Sequence, residues 1–369
     1  MTLALVHSGG HVEADVRERV GVLTLRRPQA LNALSLGMIR DLTTALLAWR
    51  DDPSIAGVFV QGALEEGKSV AFCAGGDIRF FHQAALAGDP RLEDFFTEEY
   101  WLNHLIHRYP KPYIAWMDGV VMGGGMGISQ GARLRVVTER TKMAMPETNI
   151  GLFPDVGGGW FLARCPGRVG EFLALTGQVI GAGDAVEWGL ADGHLPSTER
   201  ESFLAALVEA SREGADALLR QGRALLHTDA QRVVAPQREA IDRCFAEVDV
   251  PSIYRALEAE GSEWALSVLA ALKKRSPLMQ AVTLEQVRRA RGMSLAEDLR
   301  MERDLVRHCF HLRPGAASET VEGIRALAVD KDHAPRWNPA TIEEVTAQAV
   351  QEFFRSPWPV HAHPLRDLA

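Results

Sequence analysis

The first half of the chain alternates short runs of β-branched and apolar residues with stretches of helical periodicity. Repeated strand–turn–helix units of this kind predict an α/β fold in which parallel strands are buried beneath helices. The predicted strands are 20–25, 55–60, 70–73, 113–117, 133–137 and 143–145. The predicted helices of this half are 36–49, 77–86 and a helix that begins after the glycines at 123–125.

From about residue 197 the strand signals fade and helical periodicity dominates. The helices predicted there are 199–226, 238–245, 251–272, 284–291 and 294–309. We therefore predict two regions: 1–196 as the strand–helix core that carries the active site, and 197–369 as a mainly helical region that covers it. The tail after Pro357 is predicted to be irregular, and its two histidines, His361 and His363, are interpreted as part of a frayed terminus rather than as metal ligands.

Composition narrows the class of protein. The 369 residues carry a net charge of −8 with a pI near 5.9, which argues against a nucleic-acid partner. Four widely spaced cysteines without a CxxC pair are typical of a reducing compartment and indicate no metal cluster. No apolar run approaches the length of a membrane span, and the first ten residues resemble no leader, so we expect a cytoplasmic protein without a membrane partner.

Two carboxylates stand eight residues apart in the otherwise uncharged segment 145–159, and each of them follows a proline. An acid buried among apolar residues and glycines is unfavourable without a role, and burial raises its pKa, as a general acid or base requires near neutral pH. Glu147 and Asp155 are therefore the candidate catalytic groups. A structural interpretation stays open, because Glu147 can begin a helix and Asp155 can cap one over 156–164.

Two glycine-rich segments, 71–78 and 119–127, lie where predicted strands end and helices begin. Glycine lets the backbone approach a ligand closely, and the first N–H groups of a helix have no partner inside the helix. Two such N–H groups that face one another form an oxyanion hole. Tight packing of helix against sheet explains the glycines equally well, and neither segment matches a nucleotide-binding fingerprint.

Several segments of the first half form a pattern in a fixed order. They are Arg27-Pro28, Asn32-Ala33-Leu34, the glycine segment 71–78, Lys111-Pro112 and the glycine loop 123–127. Together they resemble the enoyl-CoA hydratase/isomerase (crotonase) superfamily over about residues 15–195.

Within that superfamily the chain is more similar to a thioester-hydrolase branch. The features are Glu98-Glu99-Tyr100, Leu102-Asn103, Met145-Pro146-Glu147-Thr148, 153–158 and 173–177, continued by Ser276-Pro277, Met301-Glu302, 322–325, 330–332 and 335–337.

The resemblance implies a crotonase-like spiral of ββα units followed by the helical region. It implies that the backbone N–H groups of Gly76 and Gly124 hold the thioester oxygen. Glu147 stands where the superfamily has its catalytic glutamate, and Asp155 stands where the hydrolase branch has an aspartate. Glu99 matches a substrate-contacting acid that is expected to bind a 3-hydroxyl group, while Gly124, Glu147 and Asp155 are also expected to contact the substrate.

The second glutamate of a two-glutamate hydratase is replaced in this chain by Gly127. Addition of water across a double bond then lacks one of its two acid–base groups, while Asp155 provides a carboxylate elsewhere. The resemblance therefore implies hydrolysis of an acyl-CoA thioester, with 3-hydroxyisobutyryl-CoA of valine degradation as the expected substrate. The alternatives are an enoyl-CoA hydratase or isomerase that uses Glu147 alone, and a non-catalytic acyl-CoA-binding relative. We expect no cofactor beyond the coenzyme A of the substrate and no metal, and the oligomeric state is left open between a single chain and a homo-oligomer.

Five further residues carry weaker predictions. Asp77 is expected to cap the helix that follows it, and Cys73 is interpreted as a small core residue. Arg26, Arg27 and Lys68 are candidates for contact with CoA phosphates, although isolated basic residues are usually solvated surface.

Overall fold

The computed structural model describes residues 3–64 and 69–369. Its strands are β1 (Val12–Arg17), β2 (Val20–Leu25), β3 (Gly57–Gly62), β4 (Ala71–Cys73), β5 (Tyr113–Met117), β6 (Val120–Met122), β7 (Leu134–Val137), β8 (Lys142–Ala144) and β9 (Gly193–His194).

The α-helices of the first half are α1 (Leu36–Arg50), α2 (Ile78–Ala87), α3 (Arg91–His107), α4 (Gly124–Gln130), α5 (Gly158–Leu162), α6 (Val169–Thr176) and α7 (Ala182–Glu187). Those of the second half are α8 (Arg200–Ser211), α9 (Ala215–Ala224), α10 (Arg238–Cys244), α11 (Val250–Glu260), α12 (Glu263–Leu272), α13 (Pro277–Ala290), α14 (Leu295–His311), α15 (Glu319–Ile324) and α16 (Ala347–Phe353). Among the described residues, every strand lies before residue 195.

The chain forms two compact units that are interleaved in sequence. The first comprises the chain up to Gly76 together with Trp101–Met143 and Val179–Ala235. Its main sheet has the order β1-β2-β3-β5-β7-β9, in which β1 and β2 are antiparallel and the later neighbours are parallel. A smaller sheet has the order β4-β6-β8.

One face of the main sheet is covered by α8 and α9. Its aromatic residues Phe59 and Trp116 pack with Phe203 of α8, and Leu218 of α9 belongs to the same buried cluster. Burial of such large side chains is worth roughly 1.5–3 kcal/mol each, so this cluster fixes the parallel strands under the helices. Parallel strands buried in this way place their carboxyl ends at one edge of the sheet.

The second unit comprises Asp77–Tyr100, Ala144–Gln178 and Pro236–Ala369 and is mainly helical. Its long helices have strong start signals. Ser276 caps α13 directly before a proline, and Ser294 forms a capping box with Glu297 at the start of α14. The helix α13 packs against α5 and α6, the two helices that follow the acidic segment.

Most predicted elements are present, and the differences have local causes. The predicted strands 20–25 and 113–117 match to the residue. The predicted helices 199–226 and 251–272 are each two helices, because Gly214 (φ 110°) and Gly261 (φ 65°) adopt positive φ and interrupt the hydrogen-bond ladder. The division of the chain at residues 196 and 197 stays a prediction.

The tail after Pro357 is irregular apart from a short 3₁₀ turn over Val360–Ala362, as expected, but it is packed rather than frayed. His363 is buried, its ring packs against Trp358, and its Nε2 lies 3.4 Å from Asp304 of α14. Leu365 and Leu368 are also buried. Apolar residues near the end of the chain therefore anchor the tail to the helical unit.

Candidate active site

Two glycine loops lie side by side in the first unit. They follow β4 and β6, which are parallel neighbours and therefore end at the same edge of the small sheet. A Cβ placed on Gly75, which has φ 106°, would lie 3.7 Å from the backbone nitrogen of Gly124. The sequence therefore brings the loops of Gly76 and Gly124 together. Their function as an oxyanion hole stays a prediction.

Glu147 begins a short 3₁₀ helix, Glu147–Ile150, that Gly151 ends in the left-handed conformation. The side chain is buried, and its Oε2 has no hydrogen-bond partner among the described residues. Burial, and then the charge of Asp155, raise the pKa of the Glu147 carboxyl well above its usual value of 4.5. A buried carboxyl with a raised pKa and an oxygen without a hydrogen-bond partner is a candidate for acting on a bound ligand.

Asp155 makes a hydrogen bond inside the second unit that the sequence did not indicate. Its Oδ2 accepts a hydrogen bond of 2.8 Å from the hydroxyl of Tyr100. Burial raises the pKa of Asp155 from 3.8 to about 7, although the Tyr100 hydrogen bond opposes this rise. The alternative in which Asp155 caps a helix over 156–164 is wrong, since α5 begins at Gly158 and Gly157 occupies the N-cap position.

Glu99 lies on α3 and completes a group of three buried carboxyls with Glu147 and Asp155. Burial raises its pKa well above the usual value, and the charges of Asp155 and Glu147 raise it further. Its Oε1 has no hydrogen-bond partner among the residues that the structure describes. Since like charges in a buried site oppose one another, the three carboxyls cannot all be ionised at neutral pH, and the site holds protons.

Two functional candidates were missed in the sequence. Tyr100 lies within a segment that carried the resemblance, and its position next to Glu99 was the available signal. Glu302 of α14 also lies within a resembling segment, Met301-Glu302, but nothing in the sequence indicated its contacts, because it accepts hydrogen bonds from the N–H groups of Gly157 and Gly159 across 145 and 143 positions of sequence. Neither contact follows from local spacing.

The weaker predictions have mixed outcomes. Asp77 caps α2, since its side chain accepts a hydrogen bond from the backbone of Phe80, and Cys73 is buried in β4. Arg26 pairs with Glu13 at the surface.

For the other two candidate phosphate contacts, Arg27 donates to the carbonyl of Ala33, and Lys68 lies outside the described residues.

The family model for enoyl-CoA hydratase/isomerase matches residues 20–354 of the chain. The chain belongs to this family. A curated relative, the mitochondrial 3-hydroxyisobutyryl-CoA hydrolase of Danio rerio, is 41% identical over 354 residues, which are 95% of this chain and 90% of the relative. Further curated relatives at about 40% identity carry the same name.

Two solved structures resemble nearly the whole chain. A carnitinyl-CoA dehydratase from Mycobacterium thermoresistibile has a TM-score of 0.86 and 39% identity, covering 97% of this chain and 99% of its own. An enoyl-CoA hydratase from Rhodobacter sphaeroides 2.4.1 has a TM-score of 0.84 and 36% identity, covering 94% and 98%. The expectation of a crotonase-type α/β fold with a helical C-terminal region is thereby confirmed.

The predicted cytoplasmic location is wrong, because the curated relatives are named mitochondrial enzymes. The prediction relied on composition and on the first ten residues of the chain. A separate finding concerns membranes: among the described residues, no helix combines the length and apolar character needed to cross a bilayer.

Proposed function

We propose that this chain hydrolyses 3-hydroxyisobutyryl-CoA to 3-hydroxyisobutyrate and free CoA, as its curated relatives are named to do. The observation that carries the proposal is the buried group of Glu147, Asp155 and Glu99, with Asp155 bound to the Tyr100 hydroxyl. A hydrolase needs both a base and a proton donor near one reacting carbonyl, and coupled carboxyls that retain protons at neutral pH supply both.

Thioester hydrolysis proceeds in this scheme by attack on a polarised carbonyl. We assign the polarisation to the N–H groups of Gly76 and Gly124, each worth roughly 3 kcal/mol of transition-state stabilisation. Glu147 either attacks the carbonyl carbon, which gives an anhydride that water then cleaves, or removes a proton from the attacking water. In both routes one water is consumed, the C–S bond breaks and the thiolate receives a proton.

Asp155 is suited to the proton transfers of this reaction. A pKa of about 7 lets it both hold and release a proton near neutral pH, and Tyr100 can stabilise its ionised form. Glu99 is assigned to the 3-hydroxyl of the acyl group, because its Oε1 is buried without a partner in the described structure and a protonated carboxyl can donate as well as accept. The scheme needs no cofactor other than the CoA of the substrate.

A groove in the second unit is suited to the phosphates of CoA. Its volume is about 770 Å³, within the range of small-molecule sites. Basic residues from α2 and from the segment after α15, namely Arg79, His82 and Lys331, line it beside the apolar Leu86 and Val329. The cationic side chains can bind phosphates and the apolar ones can contact the base of the CoA nucleotide. The groove therefore suits CoA better than the isolated Arg26 and Arg27 do.

Hydration of an enoyl-CoA, or the reverse dehydration of a 3-hydroxyacyl-CoA, is the second candidate, since the two similar solved structures are named as enzymes of that kind. Gly127 argues against it by removing the second acid–base group of a two-glutamate hydratase. Homo-oligomer formation and the absence of a nucleic-acid partner stay predictions.

A thiol-release assay separates the two functions. The protein is incubated with 3-hydroxyisobutyryl-CoA and, separately, with crotonyl-CoA, while free thiol and enoyl absorbance are followed. We expect thiol release from the hydroxyacyl thioester, unchanged enoyl absorbance with crotonyl-CoA, and loss of turnover with retained acyl-CoA binding in Glu147→Gln. Loss of enoyl absorbance without thiol release would instead identify a hydratase.

A further inference from the structure

Two buried carboxylates of α14 accept hydrogen bonds from the backbone N–H groups at the start of α5. The first N–H groups of a helix have no acceptor within the helix itself. Glu302 accepts from Gly157 N–H through Oε2 at 2.7 Å and from Gly159 N–H through Oε1 at 2.9 Å. Asp298, one turn earlier on α14, accepts from Trp160 N–H at 2.9 Å. An aspartate just before a helix usually takes such N–H groups itself.

The turn between Asp155 and α5 is held in an unfavourable conformation. Val156 has φ +57°, a left-handed conformation that a β-branched side chain rarely adopts, and Gly157 follows with φ +86°. Such a conformation persists only where its surroundings enforce it. The strained residue stands directly after Asp155, so the conformation of this turn sets the direction of the Asp155 side chain.

Both ends of the strained turn are tied to the same pair of side chains. Gln286 of α13 donates from Nε2 to the carbonyl of Pro154 at 2.7 Å and to Glu302 Oε1 at 3.0 Å. Glu302 in turn accepts from Gly157 N–H. The residue before Asp155 and the second residue after it are thus bound to one hydrogen-bonded unit of two other helices.

We propose that Glu302, supported by Gln286 and Asp298, is a positioning residue for Asp155. It takes the N–H groups that Asp155 would otherwise cap, it holds the strained turn, and it leaves the Asp155 carboxylate to Tyr100 and to the reaction. The inference rests on the proposed function, since it assigns Asp155 to the hydrolytic machinery.

The charges around this unit are compatible with the proposal. Burial raises the pKa of Glu302 well above its usual value, and the charges of Asp298 and Asp155 raise it further, while the N–H groups of Gly157 and Gly159 oppose the rise.

Burial likewise raises the pKa of Asp298 to about 7, against the hydrogen bonds to it and the charge of Arg164. Tyr100 also faces the group: burial, and then the charges of Asp155 and Glu302, raise the pKa of its phenol. Asp298 and Glu302 are buried one helical turn apart, so two negative charges there would repel each other. A proton shared between the two carboxyls removes that repulsion.

The test compares Glu302→Gln, Val156→Gly and the double variant. Glutamine has the same size but presents an N–H₂ group where the carboxylate accepts, so it repels one of the two glycine N–H groups. We expect Glu302→Gln to lower kcat on 3-hydroxyisobutyryl-CoA about ten- to hundredfold with little change in KM. Val156→Gly removes the strain, so we expect it to recover part of that kcat in the double variant.

A matched control is Asp184→Asn, which alters another buried carboxylate that accepts N–H groups of a remote loop, those of Val233, Val234 and Ala235. No proposed site residue lies in that loop, so kcat should stay near that of the wild type even where thermal stability falls. Gln286→Leu is a milder second variant in case Glu302→Gln folds poorly, and it should lower kcat by a smaller factor.

Amide hydrogen exchange in residues 153–162 provides a readout that does not depend on turnover. We expect faster exchange there in Glu302→Gln and partial reversal in the double variant. Unchanged exchange, or a kcat loss that Val156→Gly does not reverse, would overturn the positioning role. Wild-type protein that releases no thiol would refute the proposed function alone, because the exchange pattern still decides how the turn is held.

Discussion

The hydrogen bond from Tyr100 to Asp155 permits a quantitative prediction for Tyr100→Phe. The substitution removes one hydroxyl from a buried ring and leaves the packing of that ring intact. Its hydroxyl lies 2.8 Å from Asp155 Oδ2 and stabilises the ionised carboxylate. Burial and the charge of Asp155 raise the pKa of Tyr100, so the phenol remains a hydrogen-bond donor across the neutral range.

The expected effect is a higher pKa of Asp155. A hydrogen bond to a charged group is worth roughly 1.5–3 kcal/mol, and each pKa unit corresponds to about 1.36 kcal/mol, so the pKa rises by about one to two units. Starting from a pKa of about 7, half of Asp155 is ionised at pH 7 in the wild type. The variant keeps about a tenth to a hundredth ionised, which lowers kcat/KM about five- to fiftyfold if ionised Asp155 is the active form.

The assay is thiol release from 3-hydroxyisobutyryl-CoA between about pH 5.5 and about pH 9.5, corrected for spontaneous hydrolysis. The four cysteines of the protein are buried and contribute little background to a thiol reagent. The defect should shrink to about twofold or less near pH 9, because most of Asp155 is then ionised in both proteins.

Tyr109→Phe is the matched control, since the Tyr109 hydroxyl is also buried but donates to the carbonyl of Leu46. It should leave the pH profile unchanged. A defect in Tyr100→Phe of the same size at every pH, or full activity at pH 7, would refute the assignment of Asp155 as the titrating group.

Three further predictions concern other parts of the site. Because burial raises the pKa of Asp155 from 3.8 to about 7, its contribution to stability is present below about pH 4 and is lost as the pH rises through 7. Asp155→Asn is uncharged at both pH values, so at pH 8 it should melt at a higher temperature than the wild type, with a gain of at most about 4 kcal/mol in the free energy of unfolding. The difference between the two proteins should be much smaller at about pH 4. Glu99→Gln should reduce the preference of kcat/KM for 3-hydroxyisobutyryl-CoA over isobutyryl-CoA, and an unchanged ratio would remove Glu99 from hydroxyl recognition. Arg79→Ala with Lys331→Ala should raise KM for the CoA thioester but leave that of the pantetheine thioester, which lacks the nucleotide; equal effects on both would exclude the groove as the phosphate site.

The parts of the site that could be predicted from sequence are those in which neighbouring residues along the chain determine the structure. Glu147 and Asp155 stand in one uncharged segment, and their burial follows from the apolar residues and glycines around them. Asp77 caps its helix because the cap and the helix are adjacent in the chain. Strands such as β5 were also placed correctly, since the run Tyr113–Met117 is short and apolar and contains residues that favour strands.

The parts that could not be predicted depend on contacts between distant segments. The same Asp155 that precedes a glycine-rich helix start has every local property of an N-cap, and only the arrival of Glu302 from α14 takes that role away. The helix α3 was also missed as a helix, because acidic and aromatic residues mixed around its turns hide its periodicity. A tertiary contact thus decided the role of Asp155, whereas α3 was missed because its local pattern is weak.

A division between positioning and reacting groups explains why Asp298 and Glu302 are buried next to the turn that carries Asp155. A single aspartate cannot both cap α5 and stay free to exchange a proton, because the cap hydrogen bonds would stabilise its ionised form and lower its pKa. Glu302 and Asp298 take the N–H groups of Gly157, Gly159 and Trp160, so the effect of burial on Asp155 is opposed mainly by the Tyr100 hydrogen bond and, after it, by the backbone N–H of Asp155 itself. Its pKa then lies near 7, where a group can accept and return a proton within one turnover. Removal of the cap carboxylate should therefore impair the reaction even though that carboxylate is assigned no contact with the substrate.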